Sequence, residues 1–199
     1  MIARGGRSFV AISAVAATVL LPFEMMVGGT VAVLTGFLAF VFRDPRRTAG
    51  AGVVSPADGT VREVDHDRGL VSIYLALRNV HVTRAPTKGR VVRATRFPGR
   101  HLPAFSRRSP NNERVEIVMD TDLGPVSITH MSGIIARRIV PYVRNGSSVD
   151  KAERLGLIRF GSRVDLLLPP DKATIVVEVG QRLRAGVSCV AEVADDRAG

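Results

Sequence analysis

The sequence predicts a mostly-β domain, a barrel or a sandwich, that follows an N-terminal hydrophobic helical hairpin. From residue 53 onward, short apolar runs alternate with polar residues at a period of two, as in half-buried strands. Turn residues interrupt these runs at intervals of roughly 8 to 12 residues. Two long apolar segments before residue 43 predict the helices. With 199 residues, 46% of them hydrophobic, the chain is long enough for one β-rich domain and this appendage.

The two apolar segments, residues 9–22 and 25–42, are separated by a short break. As helices they would reach roughly 21 Å and roughly 27 Å, against a hydrocarbon core of about 30 Å. Basic residues flank both outer ends, which is typical of cytoplasmic flanks. We therefore expect residues 1–47 to form a membrane-associated helical hairpin and linker, with residues 48–199 at the cell membrane on the cytoplasmic side.

A cleaved signal peptide is the alternative interpretation of the N-terminus. Residues Ala14, Val15 and Ala16 resemble a cleavage site. Cleavage there would leave the second apolar segment unexplained and would export a basic domain. The sequence therefore favours the hairpin.

The body of the chain contains three turn signals between its apolar runs, at Asp58-Gly59, at residues 122–124 and at Asn145-Gly146. Its last part, residues 177–193, is similar to the hairpins that end lipoyl-like sandwich domains. No lysine stands at a tight turn there, so we do not expect a swinging cofactor.

The net charge of +10 is distributed unevenly. Residues 84–108 carry basic side chains and no acidic ones, which suits a polyanion such as nucleic acid or an anionic membrane surface. No helix-turn-helix, zinc-finger or RNA-binding motif accompanies this segment. Beside a membrane hairpin we expect it to face lipid phosphates, and we expect no nucleic acid partner; the simpler interpretation is a solvated face.

Cysteine and histidine usage excludes two kinds of site. The single cysteine, Cys189, rules out an internal disulfide framework and a cysteine-rich zinc site. The four histidines lack HxxxH or HxH spacing, so we expect no metal.

Short polar motifs interrupt the apolar patterns, and each is weak when taken alone. The aspartate of SPADG is commonly a turn residue, and a lone histidine such as His81 is commonly structural. The order and spacing of the set are more specific, and they resemble the phosphatidylserine decarboxylase family, especially its short bacterial and archaeal-type members. The motifs are FRDPRR (42–47), SPADG (55–59), NVHVTRAPTKG (79–89), NNER (111–114), ARRI (136–139) and LIRFGSRVD (157–165).

The resemblance implies a self-processing proenzyme whose pyruvoyl cofactor forms from its own serine. Carried over residue by residue, Ser162 is the pyruvoyl precursor, Gly161 supplies the carbonyl that Ser162 attacks, and Asp58 and His81 assist. Glycine suits this position because it has no Cβ to shield its carbonyl and tolerates a strained backbone. A serine hydroxyl is a weak nucleophile and needs an adjacent base.

Cleavage between Gly161 and Ser162 would give a β chain, residues 1–161, and an α chain, residues 162–199, that stay together as a heterodimer. The implied activity converts phosphatidylserine to phosphatidylethanolamine and carbon dioxide through a Schiff base on the pyruvoyl group. The alternatives are a decarboxylase of another serine lipid, of the archaetidylserine type, and a membrane-anchored β-sandwich binding module that never cleaves itself.

A phospholipid headgroup needs cationic partners for its phosphate, and the candidates are Arg84, Lys88 and Arg90. Arg84 also marks a departure from the family, because larger members often carry a second histidine at that position. Either His81 serves both self-cleavage and decarboxylation, or Asp58 acts on Ser162 without an imidazole between them.

A second Gly-Ser pair, Gly146-Ser147, competes with Gly161-Ser162 as the cleavage site. The Asn145-Gly146 turn signal precedes Ser147, and no long strand follows it. The surroundings of Ser162 match the short-form pattern throughout, so we expect cleavage at Ser162.

Overall fold

A computed structural model gives the structure of the chain, which divides into two compact units, Met1–Arg46 and Arg47–Gly199. The structure describes residues 1–102, 111–133, 138–158 and 162–193.

The first unit consists of two packed helices, α1 (Arg7–Leu20) and α2 (Met25–Val41), after a short 3-10 turn. The start of α1 meets the end of α2, where the Phe9 and Phe42 rings stack with centroids 6.1 Å apart. Gly28 allows the close approach at the other end, because a Cβ there would lie 2.4 Å from the Cα of Leu21. Within the described ranges, neither helix has the length and hydropathy needed to cross a membrane.

The second unit is built from strands, which confirms the mostly-β prediction. They are β1 (Val53–Val54), β2 (Gly59–Asp65), β3 (Leu70–Leu75), β4 (Val82–Arg84), β5 (Gly89–Phe97), β6 (Arg114–Thr121), β7 (Gly124–Met131), β8 (Ile139–Pro141), β9 (Ser148–Val149), β10 (Arg154–Ile158), β11 (Ser162–Leu167), β12 (Ala173–Ile175), β13 (Arg182–Leu183) and β14 (Cys189–Val193).

The strands form three sheets with antiparallel pairing. The largest has the order β13-β2-β3-β11-β7-β6-β5-β9, and the two smaller ones have the orders β4-β10-β8 and β1-β14-β12. The strand pairs β2–β3, β5–β6 and β6–β7 are neighbours in sequence. Strand β11 is central in the large sheet, although it comes late in the chain, between β3 and β7.

The core lies on one face of the large sheet, and the period-two pattern of the strands accounts for it. On β11 the side chains of Ser162, Val164 and Leu166 are buried, while those between them are partly or fully exposed. Ile73 on β3 and Ile128 on β7 are fully buried beside this strand. Burial of apolar area of this kind contributes about 25 cal/mol for each Å² removed from water.

Two of the three turn signals coincide with turns. Residues 122–124 connect β6 and β7, with Gly124 at a φ of +93°, and Gly146 has a φ of +84° in a turn before β9. The Asp58-Gly59 signal is wrong as a hairpin turn, since Gly59 opens β2. A Cβ on Gly59 would lie 2.3 Å from the carbonyl oxygen of Tyr74, so the glycine permits close strand pairing instead.

Candidate active site

One edge of the large sheet gathers the sequence segments that carry the predicted chemistry. Because neighbouring strands are antiparallel, β2 and β11 begin at the edge where β3 and β7 end. Thr60, Tyr74, Arg163 and Met131 form one row across these four strands. Ser162 precedes Arg163 by one residue, so it lies at this edge. With β3 between β2 and β11, those two strands are about 10 Å apart.

Ser162 is the first residue of β11 and is fully buried. It pairs with Leu75 of β3, and its side chain lies on the same face as the core residue Val164. Its hydroxyl has no hydrogen-bond partner in the described part of the chain. Buried polar groups nearly always have partners, so this hydroxyl does not stabilise the fold through hydrogen bonding. A hydroxyl in this state is available for reaction.

The predicted cleavage site lies at a junction between two sheets. Gly161 itself is outside the described residues, as are the first two residues of the ARRI motif. Ile158 ends β10 in the small β4-β10-β8 sheet, and Ser162 begins β11 in the large sheet. Residues 158–169, which have the pattern of one buried strand, therefore contain the end of one strand and the whole of another. The segment between them connects two separately paired strands.

Arg163, the next residue, is anchored on the other face of β11. Its guanidinium donates hydrogen bonds to Asp165 at 2.7 and 3.0 Å and to Glu63 at 3.3 Å. Burial lowers the pKa of Arg163, but Asp165 and Glu63 outweigh this effect and hold the pKa above its ordinary value. The pairing fixes the start of β11 and points this charge away from the face that carries Ser162.

Asp58 is held by partners other than Ser162. Both of its carboxylate oxygens accept hydrogen bonds from the Arg47 guanidinium, with Oδ2 2.9 Å from Nη2, and Oδ1 also accepts from the backbone N–H of Ala185 at 2.7 Å. The side chains of Arg47 and Asp58 are only 4% and 11% exposed. Through these bonds Asp58 joins the SPADG loop to Arg47 and to Ala185, which follows β13.

The role of Arg47 was missed by sequence reasoning, which interpreted it as one of the cations flanking a membrane segment. The structure buries it and pairs it with Asp58. The sequence contains both FRDPRR and SPADG, but nothing in either motif indicates a direct contact between them.

His81 lies beside β10, the strand that precedes the predicted cleavage site. It directly precedes β4 and is 1% exposed. Its carbonyl oxygen accepts the N–H of Ile158, the last residue of β10, at 3.1 Å. The structure therefore brings the backbone of His81 next to the segment that precedes Ser162. Neither His81 nor Asp58 hydrogen-bonds the Ser162 hydroxyl.

Arg84 is buried, whereas the other two predicted phosphate partners lie elsewhere. Its guanidinium donates to the carbonyl of Ala152 at 2.9 Å, and its N–H donates to the carbonyl of Pro56, in the SPADG loop, at 2.8 Å. The residue thus joins β4 to that loop. These contacts hold Arg84 next to the SPADG loop, one of the motifs at the candidate site.

Lys88 and Arg90 are not brought together with Ser162. They lie at the start of β5, where Arg90 pairs with Asp120 at the end of β6. This is the edge of the large sheet opposite the one that carries Ser162. Lys88 also lines a surface pocket together with Asp120 and Asp122, whose carboxylates repel an anion.

His130 on β7 is the second residue that sequence reasoning missed near Ser162. It is fully buried, and neither ring nitrogen has a hydrogen-bond partner among the residues described. Burial lowers its pKa to about 4, so the imidazole is neutral at pH 7. In sequence, a single histidine within the alternating run GPVSITHM resembles any other inward-facing strand residue.

The competing serine, Ser147, has its hydroxyl engaged. Its Oγ accepts the N–H of Arg144 at 3.0 Å and closes the turn that contains Gly146. The next residue, Ser148, pairs with Arg90 at the opposite edge of the large sheet from Ser162. A hydroxyl that closes a turn is less available as a nucleophile than one without a partner.

Comparison with known proteins identifies relatives of this chain. The chain is 47% identical over 163 residues to a phosphatidylserine decarboxylase proenzyme of Streptomyces griseus, an alignment that covers 80% of this chain and 75% of the relative. A protein of Methanosarcina acetivorans named as an archaetidylserine decarboxylase proenzyme is 42% identical over 99% of both chains. The family model for phosphatidylserine decarboxylase matches residues 34–191, a span that contains the row of residues at the sheet edge, both buried histidines and Ser162. Sequence similarity of this extent, together with these positions, makes the chain a member of the phosphatidylserine decarboxylase family.

Proposed function

We propose that this chain is the proenzyme of a pyruvoyl-dependent decarboxylase, which cleaves itself between Gly161 and Ser162 and then acts on a serine phospholipid. The observation that carries the proposal is the hydroxyl of Ser162, buried and without a hydrogen-bond partner, at the first residue of a central strand. The names of the relatives support it, since they are decarboxylase proenzymes.

Self-cleavage in this proposal uses only the chain's own atoms and water. The Ser162 Oγ attacks the Gly161 carbonyl, the peptide C–N bond breaks, and the acyl group moves from nitrogen to oxygen. Loss of the Cα proton of Ser162 then expels the carboxylate of Gly161 and leaves dehydroalanine, which water converts to a pyruvoyl group with release of ammonia. Steric freedom at a glycine carbonyl favours the first step.

The residues around Ser162 fit a pyruvoyl group at this position. Ser162 would become the first residue of the α chain, and β11 remains paired with β3 on one side and β7 on the other. Strands β13 and β14 pair with β2 and β1 of the β chain, so two further strand pairings hold the α chain in place. Strand β12 pairs with β14 inside the α chain. When formed, the pyruvoyl group supplies a carbonyl electron sink for the loss of carbon dioxide.

Asp58 and His81 are assigned supporting roles at the edge of the sheet. Asp58, with Arg47, fixes the SPADG loop next to β2, and His81 lies beside the end of β10. Arg84 is the remaining candidate for an interaction with the headgroup phosphate, because Lys88 and Arg90 lie at the opposite edge. The choice between ester and ether serine lipids is open to a direct assay on both, since relatives carry both names.

The first unit supports attachment to a membrane surface. Its loop and second helix expose large apolar side chains, with Phe23 83%, Met25 79% and Met26 81% exposed. Exposed apolar surface of this extent is typical of a lipid or protein contact. The net charge of +10 favours an anionic bilayer, and the basic flanks favour the cytoplasmic side.

Two serine substitutions test the proposal. In the full-length chain, Ser162→Ala should abolish both self-cleavage and decarboxylation, because it removes the nucleophile. The matched control, Ser147→Ala, should be cleaved at the rate of the unmodified chain, since its hydroxyl only closes a turn. Denaturing electrophoresis with intact mass measures both. Normal cleavage of Ser162→Ala would contradict the assignment.

A further inference from the structure

The register of β7 against β11 places His130 next to Ser162. His130 pairs with Val164 on β11, and directly paired residues of antiparallel strands project from the same face. Ser162 and Val164 share that face because they are two residues apart. His130 and Ser162 are therefore diagonal neighbours, whose Cα atoms are about 7 to 8 Å apart, a distance that an imidazole can bridge.

The strand before the cleavage site also packs on His130. A Cβ at Gly156, in β10, would lie 3.6 Å from Cε1 of the imidazole. The ring thus lies close to the strand that ends before the proposed scissile bond and diagonal to the residue that follows it. Among the described residues, His130 pairs with Val115 on β6 and Val164 on β11 and lies close to Gly156 on β10, and these three are uncharged.

Both polar groups of this pair lack partners. Within the described ranges, the two ring nitrogens of His130 have no hydrogen-bond partner, and the Oγ of Ser162 has none either. All three atoms are shielded from water. Leaving a buried polar group unsatisfied costs about 1–3 kcal/mol. Two such groups side by side on one buried face are a feature of reactive sites more than of cores.

Asp58, one of the two candidate bases that the resemblance implies, is engaged by other partners. The carboxylate of Asp58 accepts hydrogen bonds from Arg47 and from the N–H of Ala185. Its oxygens are thus engaged by a guanidinium and a backbone amide, and they do not hydrogen-bond the Ser162 hydroxyl. The imidazole of His130 has both nitrogens available, and the neutral form carries a lone pair.

We propose that His130 is the proton acceptor for Ser162 during self-cleavage; the inference rests on the function proposed above. As the Ser162 Oγ forms its bond to the Gly161 carbonyl carbon, the hydroxyl proton passes to a ring nitrogen of His130. When the C–N bond breaks, the same proton passes from the imidazolium to the departing amide nitrogen of Ser162. The imidazole is regenerated, and no further reactant is needed for the acyl shift.

The test follows self-cleavage in freshly synthesised full-length chain, using cell-free translation and denaturing electrophoresis. His130→Gln retains a polar side chain of similar reach but not a base, and we expect its cleavage to slow by a factor of about 10² to 10⁴. His66→Gln is the matched control, because His66 is exposed in the turn between β2 and β3, and it should cleave at the unmodified rate. Cleavage of His130→Gln within about threefold of the unmodified rate would overturn the inference.

Failure of this inference is distinguishable from failure of the proposed function. If the unmodified chain is never cleaved, the proposed function fails. If the unmodified chain is cleaved, Ser162→Ala is not, and His130→Gln is cleaved normally, only the role of His130 fails.

Two further measurements remove the ambiguity of a variant that misfolds. Hydroxylamine cleaves esters and leaves amides intact. A folded His130→Gln precursor that has not undergone the acyl shift should therefore give no fragment with hydroxylamine. A fragment would place the role of His130 after the acyl shift and overturn the assignment.

The pH profile of cleavage in the unmodified chain needs no variant. We expect the rate to fall below a midpoint of about 4, the pKa of His130. A midpoint near the ordinary histidine pKa of about 6.5 would assign the proton to another imidazole.

Discussion

At the scale of single residues, the burial of His130 makes the fold sensitive to acid. The pKa of His130 is lowered to about 4 in the folded chain, from 6.5 in the unfolded one, because the buried ring cannot be hydrated when charged. As the pH falls, the unfolded chain binds the proton first. The stabilising contribution is thus complete above pH 6.5 and is lost as the pH falls toward 4.

We expect this one group to lower the free energy of unfolding by about 3 kcal/mol between pH 6.5 and pH 4. Urea unfolding of the uncleaved Ser162→Ala chain at a series of pH values measures the loss. In the Ser162→Ala, His130→Gln chain the loss should be smaller by that amount. Equal acid sensitivity of the two chains would show that His130 is solvated.

The Arg47–Asp58 pair predicts a large effect of a small substitution. Asp58→Asn leaves the buried guanidinium of Arg47 without its counter-charge, which destabilises a fold by about 3–5 kcal/mol. The matched control is Glu116→Gln, which breaks the exposed pair with Arg93 and should cost less than about 1 kcal/mol. Urea unfolding in the Ser162→Ala background compares them. Similar costs for both would mean that the Asp58 pair is not buried in solution.

A candidate site residue could be predicted from the sequence only where the residues next to it form a distinctive pattern. Ser162 follows a glycine in an apolar run, and that interruption is visible in the sequence. His130 carries no local signal, since an inward-facing strand position is the ordinary place for a buried side chain. The partners of Asp58 include the N–H of Ala185, far along the chain, and no local pattern encodes such a contact.

At the scale of elements, the pairing of β11 predicts that the two chains of the proposed cleavage stay together. β11 pairs along its length with β3 on one side and over most of it with β7 on the other. We expect the fragment containing residues 162–199 to co-elute with residues 1–161 in size-exclusion chromatography without denaturant. It should separate only in urea or detergent. Release of the fragment under native conditions would contradict the pairing of β11.

Alternation of polar and apolar residues predicted the long strands well, because one face of such a strand is buried in the core and the other face is exposed to solvent. The same pattern does not encode which strands pair. The position of β11 between β3 and β7, and of β13 beside β2, depends on contacts between segments that are remote in sequence. The Asp58-Gly59 signal was wrong because a glycine required by close strand pairing looks the same as one required by a turn.

At the scale of the whole molecule, the apolar surface of the first unit predicts lipid binding. Met25→Gln with Met26→Gln removes two highly exposed apolar side chains, and we expect binding to phosphatidylglycerol vesicles to fall at least about tenfold. The matched control, Val176→Gln with Val179→Gln, alters two exposed apolar residues of the second unit. Sedimentation with vesicles measures both. Equal losses would contradict a specific role of the first unit.

The central claim concerns the whole chain, namely that it converts itself into two chains and makes its cofactor at the break. Intact mass spectrometry of the purified full-length protein tests this most directly. We predict two species, residues 1–161 and residues 162–199, the second lighter by one ammonia than a serine-terminated peptide and blocked to N-terminal sequencing. A single unblocked species of 199 residues would contradict the account.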